Sequence, residues 1–278
     1  MINKVLIIGG THGNEWTGIT IVKHYTETLK NEFPELDLHF IFANPEAHQL
    51  NKRFKDEDLN RAFQFLNESR ENSFEHQRAK EIKSQIASAP CFIIDLHTTT
   101  SNMGSTLIVT QYNKFNLGIA AKVSQENPRT RVIGSPDTQK KYLVSQSDYG
   151  LMIEVGPIAN SIIHGQILEE TLSTLKGILK SLTLKEHERP SSIEIYEEVE
   201  DIYYPQTENE QSNAYLHPQF QDKDFTPLIG KVFPFKNFKN EEIGLTLEEE
   251  RYPIFINEAA YYPQKLAFTL CRKLRKEF

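Results

Sequence analysis

The chain has 278 residues, enough at roughly 100 to 200 residues per domain for one large domain or a large one with a smaller companion. Lysine and arginine total 31 against 38 aspartates and glutamates, and this formal charge of −7 argues against a surface built to neutralise phosphates. No run approaches the roughly 18 apolar residues of a membrane-spanning helix, and Cys91 and Cys271 lie outside any CxxC pattern, so each reads as a small buried hydrophobe. The start shows no long apolar region or cleavage site, and the expectation is a cytoplasmic protein with no nucleic-acid or membrane partner.

In chain order, Val5 to Ile8 is a short apolar run ending in Gly9-Gly10, as a buried parallel strand would, and Trp16, Ile19, Val22 and Leu29 follow near helical spacing. Leu36 to Ala43 reads as a second strand, Phe74 to Ile86 as a helix with charged faces, and Cys91 to Leu96 as another buried strand. Thr106 to Thr110, Arg131 to Gly134 and Leu151 to Val155 add strands, with helices over Phe115 to Glu126 and Gln166 to Leu184. This rhythm predicts an α/β fold with a parallel or mixed sheet covered on both faces. Lys185 to Ser192 is a polar run with a proline and reads as a linker, dividing the chain into domains 1–187 and 188–278. The second part alternates over Ile193 to Tyr204, holds short strands at Ile229 to Phe235 and Glu242 to Thr246, is broken by prolines, and ends in a predicted helix over Gln264 to Lys276. Residues 188–278 carry 11 basic and 17 acidic side chains, so −6 of the net charge lies there.

Four segments carry candidate chemistry. Gly10-Thr11-His12-Gly13-Asn14-Glu15 follows a buried strand, where open α/β sheets bind ligands, and His-x-x-Glu across a tight turn can aim an imidazole and a carboxylate at one point. Alternatively His12 bonds a backbone group and Glu15 caps the helix. Asp95-Leu96-His97 ends another strand, so His97 emerges beside His12 if the strands are parallel; His12, Glu15 and His97 would make a His₂Glu set, with Asp95 orienting a histidine or merely bonded in the core. Glu154 interrupts an apolar run, which is costly unless its pKa rises or it is paired, and it suits a general acid/base. The mixed-charge stretch Asn51 to Arg61 reads from charge alone as a solvated surface, although Arg53 and Arg61 offer planar forks for a carbonyl or a carboxylate.

Taken together, Gly9 to Glu15, Asn44 to Ala47, Asp58 to Arg61, Asp95 to Thr99, Glu154 to Pro157 and Asn257 to Tyr262 resemble, in order across nearly the whole chain, the aspartoacylase family, which includes the succinylglutamate desuccinylases and is related to zinc carboxypeptidases. The resemblance implies a carboxypeptidase-like mixed sheet flanked by helices, with a smaller β-rich C-terminal domain narrowing the entrance. It implies one zinc ion per chain held by His12, Glu15 and His97, and Glu154 as the general acid/base. Arg53 would polarise the scissile carbonyl, Asn60 and Arg61 would bind the substrate carboxylate, and Tyr261 would reach back into the site. One departure stands out: the family has an arginine ten residues before the catalytic glutamate, to bind the second carboxylate of acetylaspartate. That position here is Val144 or, with a two-residue gap that keeps Tyr142 in place of the family's tyrosine, Gln146. Lys140, Lys141 or Lys265 would have to replace the lost cation, a contact worth roughly 1.5 to 3 kcal/mol.

The expected activity is zinc-dependent hydrolysis of a small anionic N-acyl amino acid, with N-acetyl-L-aspartate first. Alternatives are succinylglutamate, an apolar N-acyl amino acid, or a catalytically silent metal-binding module. A homo-oligomer is compatible with the sequence.

Overall fold

The computed structural model describes residues 2–66, 68, 73–206 and 213–278. In chain order the elements are β1 (Lys4–Gly9), α1 (Trp16–His24), α2 (Thr26–Glu32), β2 (Asp37–Phe42), α3 (Pro45–Gln49), α4 (Leu59–Ala62), α5 (Phe74–Ala87), β3 (Phe92–Thr98), β4 (Gly104–Val109), α6 (Lys114–Glu126), β5 (Arg131–Gly134), β6 (Tyr149–Gly156), α7 (Gly165–Thr183), β7 (Ser192–Tyr203), β8 (Ala214–Leu216), β9 (Leu228–Asn237), β10 (Glu242–Ile254) and β11 (Leu266–Glu277).

The strands join in the order β2-β1-β3-β6-β4-β5-β7-β11-β10-β9-β8. The first four are mutually parallel, β4 runs antiparallel to β6, and β5 and β7 follow β4 in parallel. From β7 onward each pairing is antiparallel. The continuous apolar runs are explained by burial on both faces: in β1, Val5 and Ile7 enter the core under α1, α2, α6 and α7, while Leu6 and Ile8 enter the core under α4 and α5. A third core holds Tyr204, Phe220, Phe235 and Phe268 between the C-terminal strands.

One sequence expectation is corrected. The predicted last helix, Gln264 to Lys276, is the strand β11, paired antiparallel with β7 from Leu266↔Tyr203 to Glu277↔Ser192. Leu266, Leu270 and Leu274 recur every four residues, a spacing that fits a helix turn but is also two strand periods. Between the two parts, Arg189 donates to the carbonyls of Ser181 (3.0 Å) and Leu184 (2.8 Å), satisfying the C-terminal end of α7. The sheet then continues through β7, which pairs with β5.

Candidate active site

The site grows from the ends of β1, β3 and β6. After β1, Gly10 takes a left-handed φ of 73°, which turns the chain sharply. Gly13 then packs against the next segment so closely that a Cβ would lie 2.2 Å from the His48 backbone nitrogen. The turn hands on His12 and Glu15. Because β1 and β3 are parallel, with Gly9 opposite Leu96, His97 leaves the sheet at the same edge, and Glu154 of β6 stands directly opposite His97 in the ladder.

His12, Glu15 and His97 are all buried, and a donor atom from each lies within 4.8 Å of the others. His12 Nδ1 is 2.6 Å from Glu15 Oε1, and His97 Nδ1 is 3.1 Å from Glu15 Oε2. Burial alone would raise the Glu15 carboxyl, but the two imidazoles hold it well below the usual carboxylate range, so it is an anion. The far ring nitrogens also face carboxylates. His12 Nε2 is 3.1 Å from Asp58 Oδ1, and His97 Nε2 is 2.9 Å from Asp95 Oδ2, although that contact is out of line for a hydrogen bond and leaves both atoms unpartnered. Thr11 donates to the other oxygen of Asp95 at 2.7 Å. Two imidazoles and a carboxylate converging on one point, each imidazole backed by an aspartate, are a donor set that fits zinc.

The Asn51 to Arg61 stretch is exposed at Asn51, Lys52 and Phe54 to Asp56, as its charges suggest, but it is anchored from inside. Glu75 of α5 is fully buried and accepts the backbone amides of Lys55 (2.7 Å), Asp56 (3.0 Å) and Glu57 (3.3 Å), together with the Asn44 side chain (3.0 Å). Asp58 caps α4 by accepting from Asn60 N, and Arg53 reaches Asp58 Oδ2 and Glu15 Oε1 at 3.3 Å each. Asn60 accepts from Leu143 N at 2.9 Å, and the Arg61 guanidinium lies 4.5 Å from the centroid of the Tyr142 ring.

A cavity of about 70 Å³ opens above these groups, lined among others by His12, Glu15, Arg53, His97, Glu154 and Glu198. Asn60, Arg61, Tyr142 and Tyr261 also line it. Burial, reinforced by Glu15 and Glu258 and opposed by His97 and Arg53, pushes the Glu154 carboxyl up to about 8. Burial pushes the Tyr261 phenol well above its ordinary value, so its hydroxyl stays protonated.

Gln146 is not in the cavity, which corrects its assignment to substrate binding. Its amide donates to the carbonyls of Lys140 (2.6 Å) and Tyr142 (3.0 Å), and Val144 is buried in the core. Lys140 pairs with Asp148, and none of Lys140, Lys141 or Lys265 lines the cavity. Three contributors escaped sequence reasoning. Asp58 and Glu258 lie inside motifs that drew attention for their neighbours. Glu258 accepts from Thr99 Oγ1, from Thr100 N and Oγ1 (2.8 and 2.9 Å) and from Ala260 N (3.0 Å), joining the segment after β10 to the loop after His97. Glu198, alone in an alternating run of glutamates, carried no signal.

A helix-covered mixed sheet with a His₂Glu nest at its strand ends, roofed by a β-rich C-terminal part, defines a hydrolase of the carboxylate-and-imidazole kind, and the comparisons narrow that class. Residues 1–182 match the succinylglutamate desuccinylase/aspartoacylase catalytic domain, and residues 191–273 match the AstE/AspA barrel-sandwich hybrid domain. The chain belongs to the succinylglutamate desuccinylase/aspartoacylase family. It is 36% identical to a probable aspartoacylase of Trichodesmium erythraeum, over 98% of this chain and 97% of that one. It is 31% identical to an N-acyl-aromatic-L-amino acid amidohydrolase of Xenopus laevis, over 98% and 95%. The crystal structure of murine aminoacylase 3 superposes with a TM-score of 0.90 at 28% identity, covering 99% of this chain and 96% of that one. Among the described residues no helix is long and apolar enough to cross a membrane.

Proposed function

We propose that the protein is a zinc-dependent amidohydrolase that cleaves the acyl group from an N-acyl α-amino acid. The observation that carries this reading is the convergence of His12, Glu15 and His97 within 4.8 Å, with Glu154 opposite His97 in the same cavity as Arg53 and Arg61. His12, Glu15 and His97 would hold the zinc, which supplies a Lewis acid and favours hydroxide near neutral pH. Glu154 takes the proton of the attacking water, oxygen adds to the amide carbon, and the same carboxyl returns the proton to the nitrogen as the C–N bond breaks, leaving a carboxylate and an amine. Arg53, anchored by Asp58 and Glu15, donates to the developing oxyanion. Arg61, flat on Tyr142 and beside Asn60, receives the α-carboxylate. Tyr261, brought in by the segment after β10, keeps a hydroxyl donor in the cavity. Residues 188–278 act as the domain that walls the entrance, contributing Glu198, Phe255, Glu258 and Tyr261.

For the acyl amino acid itself, the family resemblance and the name of the Trichodesmium relative support N-acetyl-L-aspartate. The withdrawal of Gln146 and of the three lysines from the cavity favours a second reading, an N-acyl amino acid whose side chain is not a carboxylate, in the direction of the amphibian relative's printed substrate class. The test is metal content together with release of acetate and succinate from a panel of N-acyl amino acids, with and without chelator. Stoichiometric zinc with chelator-sensitive release is expected. A metal-loaded protein that releases nothing would leave only the metal-binding module.

A further inference from the structure

The wall that faces the substrate's side chain has a composition of its own. Moving along the sheet from β3, the cavity is floored by Met152 of β6, Ile108 of β4, Ser135 just after β5 and Glu198 of β7, with Phe255 closing it from the C-terminal part. Ile108, Met152 and Phe255 make this an apolar passage, and at its end stands a carboxylate.

The other cavity carboxylates are committed. Glu15 belongs to the zinc nest, Glu154 moves the proton, and Glu258 is saturated by Thr99, Thr100 and Ala260. Glu198 has a single hydrogen bond, donated by Ser135 Oγ at 2.5 Å, and makes no ion pair within 4 Å among the described residues. Arg53 is held by Glu15 and Asp58, and Arg61 lies on Tyr142, so no lysine or arginine closes on Glu198. Outside, the vestibule adds Asp58 and Asp201 to Glu198, beside Arg53 and Arg61.

An apolar passage ending in an unpaired carboxylate suits a side chain with a methylene stem and a charged head. It disfavours a second carboxylate, which would meet Glu198 without a lysine or arginine in ion-pair contact with it. We propose that Glu198 is the specificity-determining residue of this site, selecting N-acyl amino acids with a cationic side chain of the lysine or arginine class and rejecting those of aspartate and glutamate; this rests on the amidohydrolase reading above. Ser135 fixes one carboxylate oxygen and leaves the other for the substrate's ammonium or guanidinium. Burial and the charge of Asp201 raise the Glu198 carboxyl above its ordinary value, opposed by the Ser135 hydrogen bond and by Arg61.

The test compares kcat/KM for Nα-acetyl-L-lysine, N-acetyl-L-norleucine and N-acetyl-L-aspartate on zinc-loaded wild type and Glu198→Gln, a replacement of the same shape that keeps an acceptor for Ser135. The wild type should prefer lysine over norleucine and both over aspartate. In Glu198→Gln the lysine-to-norleucine ratio should fall by about tenfold or more while norleucine turnover stays within about twofold to threefold. A wild type that prefers aspartate, an unchanged ratio, or an equal loss on all three substrates, as expected if Glu198 merely positioned Arg61, would overturn the proposal. Calorimetric binding of the same compounds to zinc-loaded Glu154→Gln separates this from the reaction assignment. Lysine-selective binding without wild-type hydrolysis would sink only the amidohydrolase, and hydrolysis without side-chain preference only the subsite.

Discussion

The end of the cavity proposed to hold zinc and the wall proposed to face the substrate's side chain are built in opposite ways. At the proposed zinc end, short motifs at three adjacent strand ends deliver His12, Glu15, His97 and Glu154, and neighbouring carboxylates back both imidazoles. The wall is assembled from residues far apart in sequence, Ile108, Ser135, Met152, Glu198 and Phe255, and its one charged member has a single neutral partner. On the proposed function, chemistry is encoded locally, whereas substrate choice depends on how distant strands come to lie side by side. Substitutions should separate accordingly into those that stop the reaction and those that redirect it.

The largest separation is expected at Glu154. Glu154→Gln keeps the shape and leaves the three ligands in place, so zinc content should match wild type while turnover falls about 10²- to 10⁴-fold for every substrate. Loss of the metal instead would make Glu154 part of the nest, and retained turnover would remove it from the mechanism.

Next is Glu75, which lies outside the cavity. Glu75→Ala strips the acceptor from three consecutive backbone amides and the Asn44 side chain, with an expected cost of about 3 kcal/mol in denaturant unfolding. Because that loop carries Arg53 and Arg61, KM should rise more than zinc affinity falls. A variant as stable as wild type, or one that loses zinc first, would show that the loop is held by something else.

Legibility in the sequence followed the same division. The turn Gly10 to Glu15, the strand ending in His97 and the glutamate inside an apolar run could be read because each signal is contained within a few residues. So could the α/β alternation of the first part, since strands buried on both faces appear as unbroken apolar runs. The last helix was misread because a four-residue repeat fits both periods, and only pairing with β7 decides between them. The anchoring of the loop Asn51 to Arg61 could not be read because its organising acid, Glu75, sits on the next long helix. The wall could not be read at all. Phe255 projects from a left-handed backbone (φ 54°), a conformation rare for a bulky side chain, and Ile256 N donates to Asp224 Oδ1 (3.0 Å) immediately after it.

A smaller effect should fall at the end proposed to hold zinc, with Arg53 beside it, and not on the wall. Asp58→Asn weakens the hold on His12 Nε2 while leaving a side-chain oxygen to cap α4, and zinc affinity should drop about 10- to 100-fold in a competition titration with a chromophoric chelator. Ser135→Ala, on the wall, should leave that affinity unchanged. Equal losses in both variants would erase the distinction between the two regions.

The smallest effect tests the support of the wall through pH. Asp224 braces the segment that carries Phe255, and burial, with the nearby charge of Asp222, pushes its carboxyl up to about 6 against the backbone amides that bond it. Its ordinary value is 3.8, so between 3.8 and about 6 the folded state holds a proton that the unfolded state has released, and stability falls as pH rises through that window. The depressed carboxyls of Glu15 and Asp58 act in the opposite sense and lose their contribution only in more acidic solution. Asp224→Asn cannot ionise, so the difference in unfolding free energy between variant and wild type should grow in the variant's favour by about 1 to 2 kcal/mol from pH 4 to pH 7, discounted for residual solvent contact. Parallel stability curves would mean that Asp224 is already paired, and that the wall is braced as firmly as the zinc end.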